Sequence, residues 1–399
     1  MLDHPFKEAT AIIENIENNG HEAYFVGGCV RDFLLGREIR DVDIATSATP
    51  TFIQKIFEKV IPVGIEHGTV IVRHLHTSYE ITTFRIDGAY SDQRHPDQVS
   101  FINKIDKDLE RRDFTINAMA MDKQGKIIDL FDGRKDIANR IIRTVGNGYD
   151  RFREDALRMI RAVRFASQLG FSLDLETKEQ INTLKHEVNK LAVERISNEM
   201  EKFFAGTYVS KAFDELKTTE LVYQLPVFKE HSDLIKRLPR EQSPLHSLAE
   251  VFAFFHLLKQ EITIQYWIKA WKASNQTKQE ATLLIRAVIN YRTYDLNDWT
   301  IYQLPRHLYG AFRRLLKALL EKRPSYEEIE RIATDLPIKT RNQLQLNGND
   351  VVGQFPGVDK GPWIQKRLHE LEYLVVMREL PNDKDRLKEW LQSNPPGAN

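Results

Sequence analysis

Two carboxylates at alternate positions, Asp41 and Asp43, follow the glycine pair of Val26-Gly27-Gly28 after twelve intervening residues. In an extended strand alternate side chains share a face, so Asp41 and Asp43 are expected to point together while Val42 and Ile44 enter a core. Neighbouring carboxylates repel each other unless a cation lies between them. Magnesium (Mg2+) prefers hard oxygen ligands and commonly takes one or two carboxylates together with substrate phosphates. A pair of such ions would activate an attacking hydroxyl and stabilise a leaving pyrophosphate. The glycines would let backbone N–H groups approach a triphosphate, and a helix starting near Val30 would add the positive end of its dipole. Asp-x-Asp alone is usually the exposed face of an edge strand. The glycine pair at this spacing, with Arg31 and Asp32 between, favours the functional reading.

A second group reads as a ligand-facing helix. Asp155, Arg158, Arg161 and Arg164 stand three apart, and each step of three turns a helical side chain back by about 60°, so neighbours in the series touch. A solvated face with internal ion pairs is the ordinary explanation of such a run. One acid followed by three arginines, however, carries like-charge repulsion that a polyanionic ligand would relieve. Cytosine and adenine each present an amine donor beside a ring-nitrogen acceptor. A carboxylate accepts from the first and a guanidinium donates to the second, whereas uracil and guanine present the opposite order. Asp155 and Arg158 are thus suited to select C and A without a template, with Arg161 and Arg164 left for phosphate or to buttress the pair.

These groups need a scaffold, and 399 residues are too many for one ordinary core, so two or more domains are expected. Charge gives no hint of a nucleic-acid surface, because 57 basic residues balance 57 acidic ones; such a surface must come from local segregation. The single cysteine, Cys29, excludes an internal disulfide and reads as a small buried residue in a reducing cytoplasm. The amino-terminal residues lack the order of a signal peptide, and the longest nearly apolar stretch, Leu248 to Leu258, is too short to span a membrane. His74, His76 and His95 lack zinc-ligand spacing with cysteines and read as ordinary strand and loop residues.

Ala23 to Val26, Val42 to Ala45, Thr69 to Leu75 and Tyr79 to Phe84 read as strands, and Thr49-Pro50 as a helix N-cap followed by proline at the first helical position. A long polar loop is expected between Arg85 and Phe101. From Glu154 onward apolar residues recur at helical spacing and convincing strands are absent. The expected division is a head (1–145), a neck with the reading helix (146–225), a helical body (226–305) and a helical tail (306–399). The tail begins with the basic segment Arg306 to Arg323, an amphipathic helix that is either a solvated face or a phosphate-contacting surface.

The glycine pair followed by Asp-x-Asp resembles the DNA polymerase β-type nucleotidyltransferases, which usually add a third carboxylate from a neighbouring strand. Glu80, in Tyr79-Glu80-Ile81, fits that place and fits an ordinary solvent-facing strand position equally well. Over Tyr24 to Phe204 the sequence is similar to class II CCA-adding tRNA nucleotidyltransferases and to the related bacterial poly(A) polymerases. Leu109 to Ala120 matches their second motif, in which Arg112 would contact the nucleotide. Asp129 to Gly133 with Arg143 to Gly146 matches a hinge-like third, Glu154 to Arg158 the nucleotide-template motif, and Glu194-Arg195 with Glu199 a supporting fifth. Gly28 and Arg31 would also line the nucleotide site.

The resemblance implies an α+β chain: a polymerase β-like palm of mixed sheet and helices, then an all-α neck, body and tail. It further implies CTP, ATP and tRNA as partners, Mg2+ as cofactor, and often a homodimer. The segment Asp87 to Pro96 resembles a loop used when adenosine is added. A bacterial poly(A) polymerase is the nearest rival, disfavoured by the neutral charge and the small amino-terminal extension. A small-molecule nucleotidyltransferase and a non-catalytic RNA-binding relative stand further off.

Overall fold

The computed structural model describes residues 5–88, 98–320 and 322–396. The chain divides into two compact units, Met1–Ser232 and Asp233–Asn399.

The first unit is built on a seven-stranded mixed sheet in the order β3-β4-β5-β2-β1-β8-β9, with β1 Ala23–Val26, β2 Asp43–Thr46, β3 Val60–Gly64, β4 Thr69–His74, β5 Thr77–Thr83, β8 Met119–Met121 and β9 Ile127–Asp129. Period-two alternation sets both faces of β1. Phe25 faces α1 (Phe6–Asn18), where its ring lies 4.8 Å from that of Phe6. Tyr24 and Val26 face a cluster with Ala45, Phe84 and Ala120 that α4 (Ile105–Glu110) closes with Ile105 and Leu109. Two short helices connect the strands. One, α2 (Gly28–Leu34), starts two residues before the position expected near Val30; the other, α3 (Pro50–Ile56), is capped by Thr49 accepting from the Phe52 N–H. The edge strand β3 exposes Ile61 and Val63, and its pairing with β4 shifts register between Pro62 and Gly64. The polar loop is framed by the strand pair β6 (Arg85–Asp87) and β7 (Val99–Phe101); residues 89–97, with His95, lie outside the described residues.

Beyond the sheet come α5 (Gly133–Asn139), α6 (Gly148–Glu154), α7 (Leu157–Leu169), α8 (Leu175–Leu184), α9 (Val193–Phe204) and α10 (Val209–Thr218), with α7 packed against α9 and α10. Several strands were not expected from the sequence: β3, the pair β8–β9, the pair β6–β7 inside the expected polar loop, and β10 (Ile141–Ile142), which runs parallel to β11 (Ser172–Leu173). In the last pair, two residues are too short for an alternation to register.

The second unit is helical: α11 (Leu248–Leu258), α12 (Ile264–Ala270), α13 (Asn275–Tyr294), α14 (Asp298–Gln303), α15 (Tyr309–Leu320), α16 (Tyr326–Asp335), α17 (Gly348–Gly353), α18 (Trp363–Val376) and α19 (Lys384–Ser393). The apolar stretch at Leu248 is α11, almost wholly buried, with Phe252 and Phe255 stacked on Trp267 at 5.5 Å. No helix among the described residues is long and apolar enough to cross a membrane. In the basic segment Leu308, Phe312, Leu315 and Leu316 are buried as expected. Its cations are less free than the sequence suggested. Arg314 makes two bonds of 2.8 and 2.9 Å to the buried Glu250, and Arg306 pairs with Glu330 at 3.0 Å.

Candidate active site

The carboxylate centre forms where β1 ends and β2 begins. Gly27 has φ 73°, a conformation that favours glycine, and a Cβ there would sit 3.0 Å from Nη1 of Arg112. In β2 Asp43 lies opposite Val26 on one side and opposite Glu80 on the other, through the parallel pairing of β2 with β5. Of the two readings of Glu80 this register favours the third carboxylate. Asp41 lies ahead of β2 and not within it, yet the alternation continues: Asp41 is exposed while Val42 and Ile44 are buried. Burial, then the charges of Glu80 and Asp41, push the Asp43 carboxyl up to about 6 against a partial offset from Arg112. An excess of negative charge on hard oxygen donors is what a divalent cation would neutralise. Among the described residues no three acidic, imidazole or thiol side chains already form a closed cage.

Asp43 and Glu80 border a cavity of about 630 Å³ that also takes in Gly28, Arg31, Arg112, Asp155, Arg158 and Arg161. Asp41 borders an adjoining space of about 600 Å³ that shares Gly28, Arg31 and Asp43 with the first. Arg31 is held by Asn117 Oδ1 at 2.7 Å and by Asp32 at 2.9 Å. Arg112 rests on Asp108 at 3.2 Å, a fully buried carboxylate that also binds Arg111 at 2.8 Å.

The reading group differs from a single helical face. Asp155 is not on the helix that carries the arginines: the chain breaks between α6 and α7, and Asp155 sits in the break, accepting from the Leu157 N–H at 3.0 Å and from Arg195 at 2.8 Å. The Asp-x-x-Arg spacing runs across this joint unchanged, with Asp155 closing α6 and its side chain taking the first N–H of α7. Nor are the arginines unopposed. Arg158 bonds Glu154 at 2.5 Å, Arg161 bonds Asp113 at 2.6 and 2.9 Å, and Arg164 meets Glu199 at 2.5 Å. The repulsion expected from the sequence is thus met by carboxylates of the chain itself. Burial alone would raise the Asp113 carboxyl, but Arg161, with Arg158 and Asn117, outweighs it and draws the group down to about 2. Arg164 is buried, lies 3.9 Å over the Phe165 ring and does not border the cavity, which is the buttressing use of the two expected. Sequence reasoning missed Asn117, Asp108 and the anchoring of Asp155 by Arg195. Only the spacing of Asp108 from Arg111 and Arg112, three and four along α4, carried a local signal.

Cys29 is buried, which pushes its thiol up to about 12 and makes it inert, in keeping with the structural reading.

Three family models match the chain: the poly A polymerase head domain over residues 23–143, the probable RNA and SrmB-binding site of polymerase A over 170–235, and the putative tRNA nucleotidyltransferase domain 2 over 244–391. A CCA-adding enzyme of Oceanobacillus iheyensis is 48% identical over 400 residues, covering 100% of both chains. The chain belongs to the CCA-adding enzyme family. Another member, from Anoxybacillus flavithermus, is 42% identical over 98% of each chain. The crystal structure of the Bacillus stearothermophilus CCA-adding enzyme in complex with CTP is 38% identical, covers 98% of each chain and superposes with a TM-score of 0.87. Family membership makes the chain a nucleotidyltransferase with an α+β palm and a helical remainder, of a kind that uses divalent metal. The head model bears the poly(A) polymerase name, but the full-length relatives are CCA-adding enzymes.

Proposed function

We propose that this protein builds and repairs the 3′-terminal CCA of tRNA from CTP and ATP, without a template. The observation that carries the reading is one cavity uniting Asp43 and Glu80 with Asp155 and Arg158, so that the groups suited to transfer and to base selection line the same space and would face one nucleotide. In each cycle the RNA 3′-oxygen bonds to the α-phosphorus, the bond to the β-phosphate oxygen breaks, pyrophosphate leaves and the hydroxyl proton is lost. Asp41 and Asp43, joined by Glu80, would hold Mg2+, which when bound supplies activation of the attacking oxygen and neutralisation of the leaving charge. Gly28 brings its backbone close to the triphosphate. Arg31 and Arg112, each held by the chain's own oxygens, donate to phosphate or sugar.

Asp155 keeps lone pairs on both anchored oxygens for the exocyclic amine of C or A, and Arg158 keeps donors toward the ring nitrogen. Their backbones are joined, Arg158 N–H donating to the Asp155 carbonyl at 3.0 Å, but their side chains are not bonded to each other, which leaves the side-chain edges for the base. Arg161, which lines the same cavity and is held by Asp113, stays available for phosphate, and Arg164, packed over Phe165 and paired with Glu199, buttresses it. The assignment by region is transfer in 1–145, base reading in 146–225 and RNA holding in 226–305 and 306–399. A reducing cytoplasmic location and a homodimer complete the reading; light scattering tests the latter. Purified protein incubated with tRNA lacking its last three nucleotides, CTP, ATP and magnesium should yield CCA ends on sequencing. Runs of A would establish the poly(A) polymerase alternative.

A further inference from the structure

We propose that the second unit holds a pocket for one unpaired base of the RNA substrate, walled by Trp299, Tyr302 and His369 and read by Thr300, Asn290 and Gln303; this rests on the function proposed above. The cavity, of about 200 Å³, lies between α13, α14 and α18. Trp299 stacks on Tyr302 with ring centroids 5.5 Å apart and planes 17° from parallel, and His369 meets Trp299 edge-on at 5.2 Å. Aromatic side chains held in this way form a preset surface for another planar ring.

The polar groups point the same way. Thr300 lines the cavity and is 1% exposed, and its buried hydroxyl has no hydrogen-bond partner. A buried hydroxyl without a partner is unfavourable and rarely kept without a reason. Among the described residues Asn290 and Gln303, which also border the cavity, spend no side-chain hydrogen bond on the protein. The acidic group in the wall is already committed. Glu372 accepts from Tyr302 Oη at 2.5 Å and from Arg341 Nε at 2.9 Å, so it presents no free charge to a ligand. The exposed Arg286, without a carboxylate partner among the described residues, leaves the rim cationic.

A planar, neutral ring bearing both donors and acceptors, attached to an anion, meets all of these features. The volume is below the roughly 300–1,000 Å³ of sites that enclose a whole drug-sized ligand, so a nucleoside triphosphate does not fit, while a single base does. An aliphatic side chain would leave three polar groups unused. Unpaired RNA bases are read by stacking on aromatic rings combined with hydrogen bonds to their edges, with the adjoining phosphate left to an arginine.

The test compares the full-length protein with Thr300→Val, Asn290→Ala and Trp299→Phe, on tRNA lacking its last three nucleotides. Thr300→Val keeps the shape and removes the unpartnered hydroxyl, so it should not lower Tm. Each of Thr300→Val and Asn290→Ala should raise KM for the RNA about 5- to 50-fold, the loss of one base contact, with kcat and KM for CTP unchanged. The RNA should also quench the part of the tryptophan fluorescence that Trp299→Phe removes, and free CTP, ATP or cytidine should not. Unchanged KM for RNA with no quenching of Trp299 would overturn the pocket, as would quenching by a free nucleotide at lower concentration than by RNA. Wild-type protein that adds nothing to the RNA would overturn the proposed function instead, and the quenching measurement would still decide the pocket.

Discussion

Asp43 is the residue at which stability and activity oppose each other most directly. Its carboxyl is raised from 3.8 to about 6, so the folded protein prefers it protonated. The ionised form therefore disfavours folding of the metal-free protein; the effect is absent below about pH 4 and complete above about pH 6. Asp43→Asn should abolish transfer and yet stabilise the metal-free protein at neutral pH by about 1–3 kcal/mol, read as a raised Tm that vanishes when the melt is repeated near pH 4. Asp41→Ala should also abolish transfer while leaving tRNA binding intact, and near-normal magnesium-dependent activity in either variant would sink the two-ion assignment. The proposed function places selectivity on Asp155. Its replacement by Ala removes the acceptor for the amine of C or A and leaves Arg158 able to donate to a carbonyl. A lost bond of this kind is worth roughly 1.5–3 kcal/mol, or about 10- to 150-fold. Asp155→Ala should lower kcat/KM for CTP and ATP together and raise relative UTP use, whereas Arg112→Ala should slow all four triphosphates alike. Wild-type preference in the Asp155 variant would move base selection elsewhere.

At the scale of elements, what could be read from sequence was what neighbours along the chain decide. The strands flanking Gly27-Gly28, the capped α3 and the buried α11 follow from alternation, capping chemistry and apolar runs. What could not be read depends on register between distant segments. Glu80 meets Asp43 only through the pairing of β5 with β2, and the carboxylates that restrain Arg161 and Arg164 come from Asp113 and Glu199. The joint between α6 and α7 escaped because the three-residue spacing passes through it unchanged. On α4, Asp108 is a fully buried carboxylate drawn down despite its burial by Arg111 and Arg112. Asp108→Asn should cost about 3 kcal/mol or more in stability and raise KM for every triphosphate, since it releases both guanidiniums. Melting curves beside steady-state kinetics check this, and unchanged KM values would confine Asp108 to folding. Between β6 and β7, removal of Gly88 to His95 should leave addition of the two cytidines largely intact and stop terminal A addition; full CCA ends at an ordinary rate would dismiss the loop's role.

For the whole molecule, neutral net charge foretold nothing about RNA, and in the basic segment that looked most promising Arg314 and Arg306 are paired with Glu250 and Glu330. Charge counting fails here because partners far apart in sequence cancel locally, while a pocket of aromatic rings and amides leaves no trace in composition. The sheet has a further consequence, for handling and not for catalysis. Its border strand β3 shows water two apolar side chains, Ile61 and Val63, and would be an adhesive rim for another molecule in the same state. Pro62 lies between them, with no N–H to offer, beside a shift in pairing. An interrupted edge of this kind is expected to discourage edge-to-edge stacking of concentrated protein. Pro62→Thr should therefore leave turnover unchanged in dilute solution but bring on turbidity and thioflavin-positive deposits at high concentration, and a variant as clear as the parent after prolonged incubation would show that the rim needs no guard.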